Sequence, residues 1–243
     1  MYVFTVLLIV FIFVSIYGFI EFALHQKKIL SIPIRIHING TRGKSSVTRL
    51  IGAALREADI KTITKVTGTY PRLILENGSE VAIYRKADAN IIEQLSIVKF
   101  ASNRKAQAIV MECMAVQPQY QWITETKMLH STVGVITNVR LDHIDVMGYT
   151  LPEIAEALGN TIPKHQNLFT SENILFSKLK EISDKRNSII HLADENQVTE
   201  AEMKGFGYIE HKENVALALA VSEHLGIDRK VALKGMYKAI PDA

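Results

Sequence analysis

Residues 2–20 form a hydrophobic run with no charged side chain, and beyond it apolar and polar positions alternate with two different periods. In Ile34-Arg35-Ile36-His37-Ile38 every second residue is apolar, the period of a half-buried strand. Val47, Leu50, Ile51, Ala54, Leu55 and Ala58 then recur at helical spacing, which predicts a helix over 44–58. A strand at 61–66 follows, and Asn77-Gly78 between extended runs at 72–76 and 79–84 signals a hairpin. Further on, the pattern predicts a helix at 91–102, a strand at 108–112, a helix at 119–129 and a strand at 132–137. A helix at 152–159, strands at 167–170 and 188–192, a helix at 213–224 closed by Gly226, and a last helix to about Lys238 complete it before Pro241. Alternating strands and helices predict an α/β fold, a mostly parallel, doubly wound sheet with helices on both faces. Such sheets bind ligands at the carboxyl ends of their strands.

The apolar run at 2–20 is long enough to cross a bilayer. A cleaved signal peptide competes with that reading, but no basic residue precedes the run and no small-x-small site follows it. His25, Lys27, Lys28 and Arg35 come just after it, so the positive-inside rule directs the rest of the chain to the cytoplasm. The expected organisation is a transmembrane anchor over 1–24, a juxtamembrane linker over 25–33 and a nucleotide-binding domain over 34–243. The chain is thus expected at the cell membrane, single-pass, with its catalytic domain cytoplasmic.

With 243 residues and 48% hydrophobic content, there is enough chain for one large core. A net charge of +3, with no dense basic block and no aromatic platform, argues against a nucleic-acid partner. Arg42, Lys44, Arg49, Lys61, Lys65, Arg72, Arg85 and Lys86 gather in the first third, either as a solvated face or to suit anionic substrates. One cysteine, Cys113, excludes an internal disulfide and a Cys-rich zinc site, and its apolar surroundings mark it as a packed thiol.

The chemistry is concentrated where strands end. Gly40-Thr41-Arg42-Gly43-Lys44-Ser45, followed by Ser46, joins the first strand to the first amphipathic helix, which is where backbone N–H groups cradle phosphate. Lys44 can reach the β/γ-phosphates and the Ser45 hydroxyl can ligate Mg²⁺. Ile38 stands where the longer phosphate loop has its first glycine, so this is a short form. Glu112 terminates an apolar strand, as either a magnesium ligand or a surface glutamate. Asn138, Asp142, His143 and Asp145 lie within eight residues after another strand, a set that suits a metal or phosphate and equally suits turn capping.

In that order, the short loop, Glu112 and Asn138-x-x-x-Asp142-His143-x-Asp145 resemble the central domain of the Mur-type amide ligases. Within that family the chain is similar to the ligase subunits of bacterial poly-γ-glutamate synthases, which make capsule polymer. The features are the apolar anchor ahead of the loop, residues 38–50, Glu112-Cys113-Met114-Ala115-Val116 and residues 142–148. The resemblance implies ATP-dependent amide formation: the γ-phosphate passes to a glutamate-chain carboxylate, and the amine of an incoming glutamate attacks the acyl phosphate. It also implies that Lys44 contacts the phosphates, that Ser45 and Glu112 hold one Mg²⁺ and that His143 holds a second. Asn214 matches the family asparagine that approaches adenine, or simply opens a helix. Small integral-membrane synthase and export subunits are implied as partners, and a homo-oligomer is left open.

Two departures stand out. Leu158 occupies the place of a lysine that many Mur ligases carry as a carbamate, the nearest lysine being Lys164, and the family's C-terminal domain is expected to be absent from the chain. The alternatives are a membrane-anchored nucleotide-binding switch or assembly subunit without ligase activity, and another Mur-type ligase such as folylpolyglutamate synthase.

Overall fold

The computed structural model describes residues 2–68, 70–85 and 89–241; Lys86, one of the basic residues of the first third, lies outside the described residues. Alternation in the first strand resolves into β1 (Ile34–Asn39), with Ile36 and Ile38 buried on one face and Arg35 and His37 turned to the other. The helical repeat after it becomes α2 (Lys44–Glu57), whose apolar stripe packs on the β1 face carrying Ile36. Strands β2 (Thr62–Val66), β3 (Arg72–Ile74) and β4 (Glu80–Ala82) follow, then β5 (Ala108–Glu112), β6 (Val133–Ile136), β7 (Asn167–Thr170) and β8 (Ile189–Leu192). They form one sheet in the order β4-β3-β2-β5-β1-β6-β7-β8. All neighbours from β2 to β8 pair in parallel, while β3 and β4 run antiparallel at one edge.

Helices cover both faces, as the doubly wound pattern requires. On one side α2, α9 (Lys212–His224) and α10 (Arg229–Met236) bury Leu50, Ile51, Leu217 and Met236 against Ile36, Val110 and Val135. On the other side α3 (Glu93–Asn103) covers Ile63, Ile109 and Met111, and α6 (Leu151–Leu158) and α7 (Phe176–Lys185) cover Ile136 and Leu168. β1 lies between β5 and β6, the place where the winding of the sheet reverses and where a crevice opens at the strand ends.

Several expectations need correction. Helix α1 runs from Tyr2 to Leu30, so most of the expected 25–33 linker is helical; Ile29 and Ile32 are fully buried in the core beside α3. Its end is fastened by side chains, His25 Nε2 lying 3.0 Å from the Met128 carbonyl and Gln26 Nε2 donating to that of Lys127 at 3.0 Å. The hairpin is shorter than expected and its turn longer. Leu75 N–H closes it onto the Ser79 carbonyl, and Asn77 Oδ1 accepts from both Ser79 N–H and Oγ–H. The helix expected at 119–129 is α4 (Pro118–Ile123) continued by a π-helical stretch, Thr124–Leu129, whose wider turn ends with His130 N–H donating to Glu125 O.

Helices α5 (Ile144–Met147), α7 and α8 (Glu200–Met203) escape the sequence reading. α5 and α8 are too short for a hydrophobic period, and α7 carries Leu179 and Ile182 as its buried apolar anchors. Cys113 sits one residue past β5, buried, with its N–H donating to Ile38 O.

Candidate active site

The phosphate loop is held from outside by the end of β6. Gly40 has φ 132° and a Cβ there would fall 2.1 Å from Thr137 Oγ1, so only glycine lets the two segments approach this closely. Thr137 Oγ1 donates to the Arg42 carbonyl at 2.6 Å, and Asn138 Oδ1 accepts from Arg42 N–H at 3.0 Å. Thr41 N–H donates to the Asn138 carbonyl, and Thr41 Oγ1 accepts from Arg140 N–H at 3.0 Å. Asn138 is buried, and both ends of its amide are bonded to Arg42. Gly43, at φ 79°, caps α2 and packs against Asn214, where a Cβ would lie 2.6 Å from the amide oxygen. Asn214 is buried in the first turn of α9 and donates to Glu210 at 2.9 Å, so it stands against the loop.

Register brings the acidic residue to the loop. Ile38 pairs with Glu112, which puts the last residue of β5 level with the end of β1. Ser45 Oγ lies 3.1 and 3.0 Å from the two Glu112 oxygens, and Thr67 N–H donates to one of them at 2.7 Å. Lys44 Nζ folds back over the loop, donating to the carbonyls of Gly40 at 2.8 Å and Thr41 at 3.2 Å.

Lys44, Glu112, Asp142 and His143 line one cleft of about 270 Å³ together with Thr67, Gly68 and Arg85. His143 sits at φ 46° ahead of α5, exposed, with its N–H donating to Asp142 Oδ1. Asp142 also lies 3.6 Å from Arg42, whose side chain is otherwise in solvent. Ser46 is half-buried in the first turn of α2, and Asp145 is exposed; neither is among the residues lining the cleft. Among the described residues no three His, Cys, Asp or Glu side chains converge as a metal cage. Leu158 is core, and Lys164 lies in a different pocket, so among the described residues Lys44 is the lysine lining this cleft.

The Mur ligase middle domain matches residues 38–240. The chain belongs to the Mur ligase family. This Mur-type domain is 46% identical over 233 residues to the capsule biosynthesis protein CapB of Bacillus anthracis, covering 95% of the chain and 50% of that protein. It is 43% identical over 231 residues to the PGA synthase CapB of Bacillus subtilis (strain 168), covering 94% of the chain and 59% of that protein. The chain therefore spans about half to three-fifths of the length of these curated relatives.

Among solved structures, E. coli FolC in complex with DHPP and ADP superimposes with a TM-score of 0.67 at 14% identity, covering 91% of this chain and 61% of that one. The Yersinia pestis bifunctional folylpolyglutamate synthase/dihydrofolate synthase complexed with AMPPNP and Mn ion gives 0.71 at 14% identity, with coverage of 91% and 61%. At such identities the likeness is one of fold.

Thr137, which holds the loop, and Thr67, which lines the cleft, were not singled out from the sequence, and Arg85 was named there only as one of eight basic residues. Thr137 and Thr67 come directly after strands, the one signal that could have found them. Arg85 lines the cleft while forking onto Glu93 at 2.8 and 3.2 Å, and Lys65, fully buried, meets the same carboxylate at 2.8 Å. Burial pushes the Glu93 carboxyl up, but Arg85 and Lys65 outweigh it and hold its pKa below the ordinary value.

Proposed function

We propose that this domain is the ATP-dependent core of a poly-γ-glutamate ligase, seated at the membrane by α1. The observation that carries the reading is the bond between Ser45 and Glu112 at the phosphate loop, where Glu112 lines one cleft with Lys44 and His143. The names of the 43–46% identical relatives, a capsule biosynthesis protein and a PGA synthase, supply the polymer. Helix α1 is apolar enough to cross a bilayer and is unburied over its most hydrophobic window, which supports the seating.

A carboxylate is a poor electrophile and is repelled by a polyphosphate, so the site must first bring anions together. The loop N–H groups and Lys44 bind the β- and γ-phosphates of ATP. The chain-end carboxylate oxygen attacks the γ-phosphorus, the bond to the β,γ-bridging oxygen breaks, and ADP leaves. The amine of the incoming glutamate then attacks the acyl carbon, its proton is lost, the bond to the phosphoryl oxygen breaks, and inorganic phosphate leaves.

The Ser45 and Glu112 oxygens fit Mg²⁺, which takes hard oxygen ligands and completes its shell with phosphate and water, so a dedicated cage is not needed. Ser45 and Glu112 would hold the first ion and His143 a second, and the charge they supply would offset the repulsion between the two anions. Asn138 and Thr137 keep the loop in shape, and Asn214 flanks it on the side proposed for adenine.

The test uses the complete protein with its membrane partners. Wild type should release ADP in a glutamate-dependent way and incorporate labelled glutamate into polymer, and His143→Ala should lose synthesis while keeping most nucleotide binding. Steady ATP hydrolysis with no glutamate incorporated would sink the ligase reading, and indifference to His143→Ala would favour a nucleotide switch.

A further inference from the structure

A second pocket, of about 360 Å³, opens at the amino ends of β1, β6 and β7, the opposite ends of the strands from the phosphate loop. Arg35, Lys127, Lys164 and Arg186 line it, with Trp122 and His130 beside them. Its volume falls within the roughly 300–1,000 Å³ of small-ligand sites. Glu125 is the carboxylate in its wall, and that group is turned inward, accepting from Ser131 and paired with His37 Nδ1 at 2.8 Å. The guanidinium groups meet backbone carbonyls: Arg35 donates to His130 and Ile32, and Arg186 to Ile162 at 2.7 Å. Lys127 Nζ lies 5.5 Å from the Trp122 ring centroid, and both side chains are exposed. Four cations thus line the pocket, and the Glu125 carboxylate, bonded to His37 and Ser131, offsets only the charge of Arg35 and Arg186 from a distance.

The anchor fixes where this pocket sits. Residues 2–20 make about 28 Å of helix at 1.5 Å per residue, close to the hydrocarbon thickness of a bilayer. His25 and Gln26 follow Ile20 by about 8–9 Å of axis, the level of the phospholipid headgroups. Those two side chains bond the carbonyls of Met128 and Lys127, so the pocket wall is tied to the helix at that level. Trp122 is the chain's one tryptophan, and its exposed ring lines the pocket whose wall is tied to the anchor, where an interfacial tryptophan belongs.

We infer that this basic pocket binds the phosphate headgroup of an anionic phospholipid, such as phosphatidylglycerol, and docks the domain on the inner membrane surface. The inference rests on the membrane seating proposed above and goes beyond the ligase reading. It holds the phosphate-loop cleft away from the bilayer, at the far ends of the strands.

Trp122 allows a direct test on the full chain in lipid nanodiscs. Acyl-brominated phosphatidylglycerol in a phosphatidylcholine background is compared with brominated phosphatidylcholine at the same fraction, phosphatidylglycerol then being unbrominated. Each basic residue near an anionic surface enriches such lipid roughly fivefold, so quenching by the anionic lipid should exceed the other by at least about threefold. Lys127→Gln/Lys164→Gln, two lysines outside the phosphate-loop cleft, should cut the ratio at least by half, with Arg35 and Arg186 still in place, while ATP turnover is unchanged; an unchanged ratio in this variant would overturn the pocket as the headgroup site.

Equal quenching by the two lipids in wild type would overturn the headgroup site alone. Loss of the preference on adding millimolar inorganic phosphate would overturn it too, in favour of a soluble anion. Failure of the full chain to enter nanodiscs at all would overturn both this inference and the membrane seating.

Discussion

Ser45 Oγ and the Glu112 carboxylate are bound to each other at 3.0–3.1 Å across the seam between α2 and β5. With Thr67 N–H as a further donor, the carboxylate is held in place before any ion arrives. Glu112→Gln preserves the size and the acceptor for Thr67 but removes the charge. Loss of a residue that only orients a metal ligand already costs about 10–100-fold in affinity. The Mg²⁺ concentration for half-maximal ATP turnover should therefore rise at least tenfold, with an unchanged thermal midpoint. An unshifted Mg²⁺ titration would remove Glu112 from the metal site.

Gly43→Ala tests the packing of the loop on α9. A left-handed backbone costs a non-glycine residue about 1–2 kcal/mol, and the new methyl would also press on Asn214 Oδ1, 2.6 Å from the Cβ position. Thermal denaturation should show the variant destabilised, and nucleotide titration should show weaker binding. Adding Asn214→Ala should recover the part due to the contact and leave the backbone part. Strictly additive losses would mean the two residues do not meet.

Much of this was legible in the chain because two periods and one motif agree at 34–58: alternation stops at Asn39, the helix starts at Lys44, and the glycines fall between. The parallel strands and both faces of helices follow from the same alternation. The residues that shape the loop were not legible. Thr137 is an ordinary strand-end residue until β6 lies beside β1, and Asn138 looks like a ligand until its amide is seen bonded to Arg42. Sequence spacing also kept Asp145 with Asp142 and His143, whereas the turn into α5 leaves it exposed and not among the residues lining the cleft. The docked end of α1 was hidden for another reason: Ile29 and Ile32 look like the fringe of an apolar run, and only the core beside α3 shows that they belong to the domain.

His37 gives the fold a pH dependence. Burial pushes its pKa down, but interactions with Cys113 and Glu125 outweigh burial and raise it to about 9. The folded value lies above the ordinary 6.5, so this stabilisation is complete below about pH 6.5 and is lost as pH rises through 9. The thermal midpoint should fall between pH 6.5 and 9.5, and His37→Gln should flatten that slope while lowering stability at pH 6. A wild-type midpoint that is level or rising across this window would show that the pair carries no net charge dependence.

Asp142 separates a role in binding from one in turnover. Its pairing with Arg42 at 3.6 Å is solvent-exposed on the arginine side, and such pairs are worth about 0–1 kcal/mol. Its oxygen also accepts from the backbone N–H of His143 and lies 4.0 Å from His143 Nε2, so it holds the stretch of backbone that carries the imidazole to the cleft. Asp142→Asn keeps the oxygen and removes the charge. Nucleotide affinity should change by less than about fivefold, the limit an exposed pair allows. Glutamate incorporation should fall by about 10–100-fold if His143 holds an ion that this carboxylate orients. An equal loss in both measurements would make Asp142 a loop residue acting through Arg42, and no loss in either would make it a turn cap.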